Sequence, residues 1–366
     1  MEDLQVRPSE LIVSIEAIKH NINEVKNIVG KDVQIMPTIK ANAYGMGIKK
    51  VIEIVEELKI GIVAVAIADE GIVLRNLGYK GEIFVLNQPY IDEIEKIAEY
   101  SLTVGISSMQ FIQELGKNEK NFKIHLEIGT GMGRTGIKPV RCSEVLEEIS
   151  KYKNILVEGI YTHFSCSDSD EEYTKKQIKS FEVAIDFAKK NIPNLKYIHA
   201  CNSAGVISFP EAHYNLVRPG LMIYGYLPEE GLKEKVDVMP CCKLKSKVSF
   251  IKEIEEGFAI GYGKSYITQR KSVIATIPIG YADGVRRVLS NAGKVVINGA
   301  LAPIVGSVCM DSFMADVTEI PGVLLGTDVY IWDNEKITLE EVAKRCDTIN
   351  YEIISTISAR VKREYV

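Results

Sequence analysis

Between about residues 14 and 226, short β-branched runs alternate with amphipathic helical segments, and this alternation constrains the fold more than anything else in the chain. Eight runs occur, at residues 34–40, 62–68, 82–86, 102–105, 123–128, 157–163, 197–201, and 215–217 with a continuation over 221–224. The segments between them carry apolar side chains on one helical face, as Ile15, Ile18, Ile22, Val25 and Val29 do within residues 14–29. Residues 47–58, 141–152 and 171–190 follow the same pattern. Eight strand–helix units over roughly 220 residues predict an α/β fold, a parallel (β/α)8 TIM barrel whose chemistry sits on the loops at the carboxyl ends of its strands. A doubly wound open sheet alternates in the same way, so the residues at the strand ends decide between the two.

After about residue 235 the texture changes to strand-like stretches at 242–254, 272–278, 294–297, 302–308, 313–317 and 328–332, punctuated by Asn298-Gly299 and Pro321-Gly322, with a helical piece at 339–345. The expected organisation is a barrel domain over 10–233 and a mostly β domain over 234–366, with residues 1–9 associated with the latter. With 44 Lys+Arg against 49 Asp+Glu, a formal net charge of -5, the chain has no cationic excess to neutralise a phosphate backbone, so nucleic acid is excluded as a main partner. The longest apolar run, 60–68, is far shorter than the roughly 20 residues of a membrane span. The opening Met1-Glu2-Asp3-Leu4 has no basic start before an apolar stretch, and the 7 cysteines include no Cys-x-x-Cys pair. The expectation is a cytoplasmic protein with reduced thiols and no metal site.

Lys40 ends the first run and is followed by Ala41-Asn42-Ala43-Tyr44-Gly45. A lysine desolvated there is suited to act as an amine nucleophile that condenses with a carbonyl, although a strand-end lysine reaching water is the ordinary alternative. The fifth run ends in Gly129-Thr130-Gly131-Met132-Gly133-Arg134, the sixth in Thr162-His163-Phe164, and the seventh in His199-Ala200-Cys201-Asn202-Ser203. Two of the 5 histidines thus fall at neighbouring strand ends. The eighth run gives Val217-Arg218-Pro219-Gly220-Leu221, where Gly220 and the amide after it, near Ser203, suit a phosphate. Barrels of this class often hold phosphate after strands seven and eight. A carbonyl-capturing lysine and a phosphate cradle on one face point to pyridoxal phosphate. In the second domain Gly261-Tyr262-Gly263, Gly280-Tyr281-Ala282-Asp283-Gly284 and Cys309-Met310-Asp311 are polar or aromatic islands that packing of a β core explains equally well.

Taken in order along nearly the whole chain, these motifs closely resemble the alanine racemase family of pyridoxal-phosphate enzymes. The resemblance implies that Lys40 holds the cofactor and serves as acid or base on one face of the substrate Cα. Tyr262 of the partner subunit of a homodimer would serve the opposite face, because inversion needs proton removal and return on different sides. It implies that Arg218 meets the pyridine nitrogen, that His163 and His199 orient it or line the ring, and that Arg134 holds the phenolic oxygen. Tyr44, Ser203, Gly220, Leu221 and Tyr351, with Asn202 in the same turn as Ser203, would contact the cofactor phosphate. The amide of Met310 of the partner subunit would meet the substrate carboxylate, Arg134 belongs to the substrate side as well, and Tyr281 would narrow the approach.

The activity so implied is interconversion of L- and D-alanine, supplying D-alanine for cell-wall peptidoglycan, and Tyr351 favours a small substrate. Racemisation of serine or another amino acid, or a non-catalytic pyridoxal-phosphate carrier, are the alternatives. Two departures from the family pattern stand out. Glu127 occupies a position where many members carry a carbamylated lysine, with Gly129 where an acidic residue is expected, and Met46 replaces the usual histidine. The expectation is that the Glu127 carboxylate supplies the carbamate's negative charge next to Arg134.

Overall fold

The computed structural model describes residues 7–193 and 195–366, which separate into two compact units. One comprises residues 17–43 and 48–239, the other the described residues up to Glu16 together with 44–47 and 240–366.

The first unit is the barrel. Its eight strands are Gln34–Ile35, Ile62–Val65, Glu82–Val85, Thr103–Ile106, Phe122–Glu127, Ile155–Tyr161, Tyr197–His199 and Leu216–Val217, all paired in parallel. The ring closes where Thr38 bridges Ala64, with the Ala64 N–H donating to Pro37 O and the Ile39 N–H to Ala64 O, each at 2.9 Å. Ile62–Val65 and Thr103–Ile106 are buried at every position, as expected of parallel strands covered on both faces by the barrel interior and the outer helices. Met36, Ile62, Ala64, Phe84, Tyr161, Tyr197 and Leu216 pack together inside. The helix Ile15–Val29 buries Ile18, Ile22, Val25 and Val29, and its buried Asn21 is satisfied by donating to Met239 O at 2.9 Å and accepting from Met239 N–H at 2.7 Å.

One expectation needs correction here. Residues 221–224 do not continue the eighth strand but form a 3-10 helix, Leu221–Tyr224. Pro219 has no N–H to donate to a ladder, and Gly225 (φ 79) ends the helix in the left-handed region.

The second unit is a nine-stranded sheet with a separate two-stranded hairpin, Ala259–Ile260 and Tyr266–Ile267. The expected barrel start at residue 10 is displaced: Glu10–Val13 lies in this sheet, antiparallel to Cys242–Lys247 and parallel to the last strand, Lys362–Tyr365. Its alternating burial, with Leu11 and Val13 wholly enclosed, matches a sheet with one covered face rather than a barrel strand. The stretch 242–254 is two strands, Cys242–Lys247 and Phe250–Ile254, which take separate places in the sheet. Of residues 1–9, Arg7 and Ser9 join this unit, through Asp283 and Ser246, while 1–6 lie outside the described residues. Among the described residues no helix is long and apolar enough to cross a membrane.

Candidate active site

Lys40 stands where the first barrel strand gives way to a turn that L-residues seldom adopt. Ala41, Asn42, Ala43 and Tyr44 follow it with φ of 52, 54, 54 and 53°. Burial, with help from the Arg134 charge, pushes the Lys40 pKa below the ordinary lysine range, against an opposing pull from Glu70. A larger share of uncharged amine is what capture of a carbonyl requires.

Arg218 leaves the eighth strand and is buried, without a carboxylate ion pair among the described residues. Its charge is met by neutral acceptors instead: Nη2 donates to Thr162 O at 2.7 Å and Ala200 O at 3.0 Å, and approaches His163 Nδ1 at 3.3 Å, while Nη1 meets His199 Nδ1 at 2.6 Å. Guanidinium only donates, so His199 Nδ1 accepts, and the His199 proton sits on Nε2, facing His125 Nδ1 at 2.8 Å. The same logic makes His125 Nδ1 an acceptor and leaves its Nε2–H buried without a partner. Burial and the Arg218 charge hold His163 and His199 well below the usual imidazole range, and His125 at about 3. Arg218 itself is pushed down to about 10 by burial and so stays cationic at neutral pH.

Ser203, the first residue of the helix Ser203–Ser208, accepts the amides of Gly220 at 3.0 Å and Met222 at 3.2 Å. Both amides thus fasten the turn after the eighth strand to the Ser203 hydroxyl, so the Gly220 N–H expected to face a phosphate is engaged within the protein, while the Ser203 O–H remains able to donate. Asn202 caps that helix, its Oδ1 accepting from Gly205 N–H at 3.0 Å and from the Ser167 hydroxyl at 2.8 Å. Arg134 is exposed on its glycine-rich loop, whereas Glu127 is buried, and the two form no ion pair. The Tyr161 hydroxyl donates to Leu86 O at 3.0 Å, and burial together with the Glu127 charge raises its pKa. The expected placing of the Glu127 charge next to Arg134 thus does not extend to an ion pair, although both charges act on the Tyr161 hydroxyl. The charges of Lys40, Arg134 and Arg218 all depress His163, which puts the four on one barrel end.

In the second unit Tyr262 is 76% exposed, flanked by Gly261 (φ 73) and Gly263 (φ 70), and Met310 is 53% exposed. The loops of Tyr281 and Met310 are laced together: the Tyr281 N–H donates to Cys309 O and the Ala282 N–H to Met310 O, each at 3.0 Å. Buried Asp283 anchors them, paired with Arg7 at 2.9 Å and Arg360 at 3.2 Å. Tyr44 and Tyr351 have ring centroids 6.2 Å apart. Met46 is wholly buried, an apolar place in which a histidine would need a partner.

Two residues escaped the sequence reading. His125 lies mid-strand in an apolar run, and a polar residue at an inward position of an otherwise buried strand was the available signal. Glu70 sits beside Lys40 only through tertiary structure. As to a cofactor, the buried Arg218 Nε also lacks a hydrogen-bond partner. A buried donor left unpaired costs about 1–3 kcal/mol, and a pyridine nitrogen is an acceptor of the right kind. Together with the depressed Lys40 amine, these residues fit pyridoxal phosphate.

Comparison with known proteins agrees. Residues 13–228 match the family model of the alanine racemase N-terminal domain and 241–365 that of the C-terminal domain. The alanine racemase of Halothermothrix orenii is 38% identical, covering 98% of this chain and 97% of its own. That of Carboxydothermus hydrogenoformans is 40% identical over 99% of this chain and 100% of its own. Among solved structures, the alanine racemase of Clostridium difficile superposes with a TM-score of 0.93 at 34% identity, covering 98% of this chain and 96% of its own. The alanine racemase of Enterococcus faecalis (E. faecalis) gives 0.93 at 30% identity over 100% of both chains. With both domain models matched in order and relatives of this identity aligned end to end, the chain belongs to the alanine racemase family.

Proposed function

We propose that the protein interconverts L- and D-alanine with pyridoxal phosphate, as a homodimer in which Lys40 and Tyr262 of the partner subunit act on opposite faces of the substrate Cα. The observation that carries this reading is the convergence on one barrel end of a lysine with a depressed pKa and a buried arginine with one N–H unpartnered. The cofactor supplies an electron-withdrawing ring that makes the Cα proton removable. Lys40 holds it through its amine and moves a proton on one face. Tyr262, exposed between two glycines, is free to serve a neighbouring chain. Arg218 stays charged at neutral pH and donates to the ring nitrogen, which keeps that nitrogen unprotonated and limits side reactions of an over-strong electron sink. The amide of Met310 of the partner subunit would meet the substrate carboxylate, Arg134 would hold the phenolic oxygen next to the substrate, and Tyr281 narrows the approach. Tyr44, the Ser203 hydroxyl, Leu221 and Tyr351 would hold the phosphate, with Gly220 and Asn202 fixing Ser203 in place, and His163 and His199 set the Arg218 guanidinium.

The barrel unit, residues 17–43 and 48–239, and the sheet unit that ends the chain from residue 240 then divide the work between cofactor binding and the partner's site. D-Alanine made for peptidoglycan in the cytoplasm fits seven cysteines that form no disulfide. The test is incubation of the purified holoenzyme with L-alanine in deuterated water, followed by NMR and chiral chromatography. Cα exchange together with D-alanine is the expected result. Exchange without inversion would leave Lys40 working and remove Tyr262 from the scheme, and the absence of both with cofactor bound would overturn the reading.

A further inference from the structure

Glu70 lies in the helix Ala68–Asn76, just after the second barrel strand, and its two oxygens accept amides from two different strand ends. Oε1 takes the Ala41 N–H at 2.5 Å and Oε2 the Ala66 N–H at 2.8 Å. Ala41 directly follows Lys40 and opens the run of four L-residues at φ 52–54. Such residues lie about 1–2 kcal/mol each above the right-handed form, and a run of them persists only where its surroundings over-determine it. Two local bonds help, Ala43 N–H to Ile39 O at 2.9 Å and Ile48 N–H to Asn42 Oδ1 at 2.8 Å. Both come from the same stretch of chain. Glu70 reaches the turn from the next strand–helix unit and ties it to the rigid ring, and it alone of the three brings a charge near Lys40.

We propose that Glu70 is the positioning residue for Lys40: by stapling the Ala41 amide to the end of the neighbouring strand it locks the left-handed turn and so fixes the backbone from which the Lys40 amine departs. The proposal rests on the reading of Lys40 as the cofactor lysine and proton carrier. It assigns Glu70 no contact with substrate.

The test compares the parent holoenzyme with Glu70→Ala, Glu70→Gln, and Glu70→Ala combined with Ala41→Gly. Apart from kcat and KM for alanine, the rate at which each apoprotein captures added pyridoxal phosphate on Lys40 is read by borohydride trapping and peptide mass spectrometry. Glu70→Ala is expected to lower kcat and the capture rate about 10- to 100-fold with KM nearly unchanged, since a small displacement of a reacting group has effects of that size. Glu70→Gln keeps one acceptor oxygen and falls between. Glycine at 41 takes positive φ without a Cβ penalty, so the double variant recovers part of the capture rate, which a merely structural loss would not allow. Parent-like capture and kcat in Glu70→Ala overturn the proposal, as does a loss that follows lowered Tm and is not rescued by Ala41→Gly. Absence of trapping at Lys40 in the parent itself is a separate result that removes the cofactor reading, and the proposal with it.

Discussion

At the residue scale the site is governed by how one buried cation is satisfied. Arg218 makes its bonds in several directions at once, to two carbonyls and two imidazoles. Lysine is a point charge on a flexible stem and cannot occupy that fork, so Arg218→Lys is expected to lower kcat by at least about 100-fold while the fold is kept, as checked by steady-state kinetics alongside circular dichroism. The imidazoles carry a second consequence. His125, His163 and His199 are all held neutral, with folded pKa values below the roughly 6.5 of an unfolded chain. Below that pH the unfolded state binds more protons than the folded one, so stability is full above about 6.5 and is lost as pH falls toward the folded values, by up to about 1.4 kcal/mol per pH unit for each group. Urea midpoints should therefore drop between pH 7.5 and 5, and drop less steeply in His125→Phe; a midpoint indifferent to pH over this range would refute the assignment. Lys40, His163, His199 and Arg218 were legible in the sequence because strand ends are where barrels put chemistry. His125 was not, because its partner is a residue 74 positions away.

At the element scale, the strand–helix period located every barrel strand to within a few residues, since parallel strands buried on both faces leave continuous apolar runs. Turn chemistry was harder to read. In Ala41-Asn42-Ala43-Tyr44 only Asn42 is of a type that tolerates positive φ, and the run of four depends on a bond from outside the segment, Ala41 N–H to Glu70, as well as on local ones. The glycine after it is a different matter. Gly45 has φ 86, and a Cβ there would lie 2.3 Å from Ile354 O, a backbone atom that cannot step aside. Gly30 has φ 75 with nothing within 4 Å of the added carbon. Gly45→Ala should therefore destabilise by more than about 3 kcal/mol, or prevent folding, whereas Gly30→Ala should lose only about 1–2 kcal/mol from backbone strain. Chemical denaturation of the two variants side by side separates steric collision from conformational preference.

At the scale of the whole molecule, the chain's two ends meet in one sheet, with Glu10–Val13 paired to Lys362–Tyr365, a pairing between segments some 350 residues apart that no local pattern reveals. Assembly is equally invisible to periodicity, yet it makes the sharpest claim about the reaction. If each site joins Lys40 of one protomer to Tyr262 of its partner, Lys40→Ala and Tyr262→Phe homodimers each lack one base at both sites. Mixing them under conditions that allow exchange yields heterodimers with one site missing both bases and one site with both intact. Random reassortment makes half of the dimers mixed, each with one of two sites working, so activity should return to about a quarter of the parent value. Were both bases supplied by the same chain, every site in every dimer would remain defective and mixing would restore nothing. Racemase activity of the mixture against that of the two separate variants, with dimer exchange followed by a mass-tagged protomer, decides between these geometries.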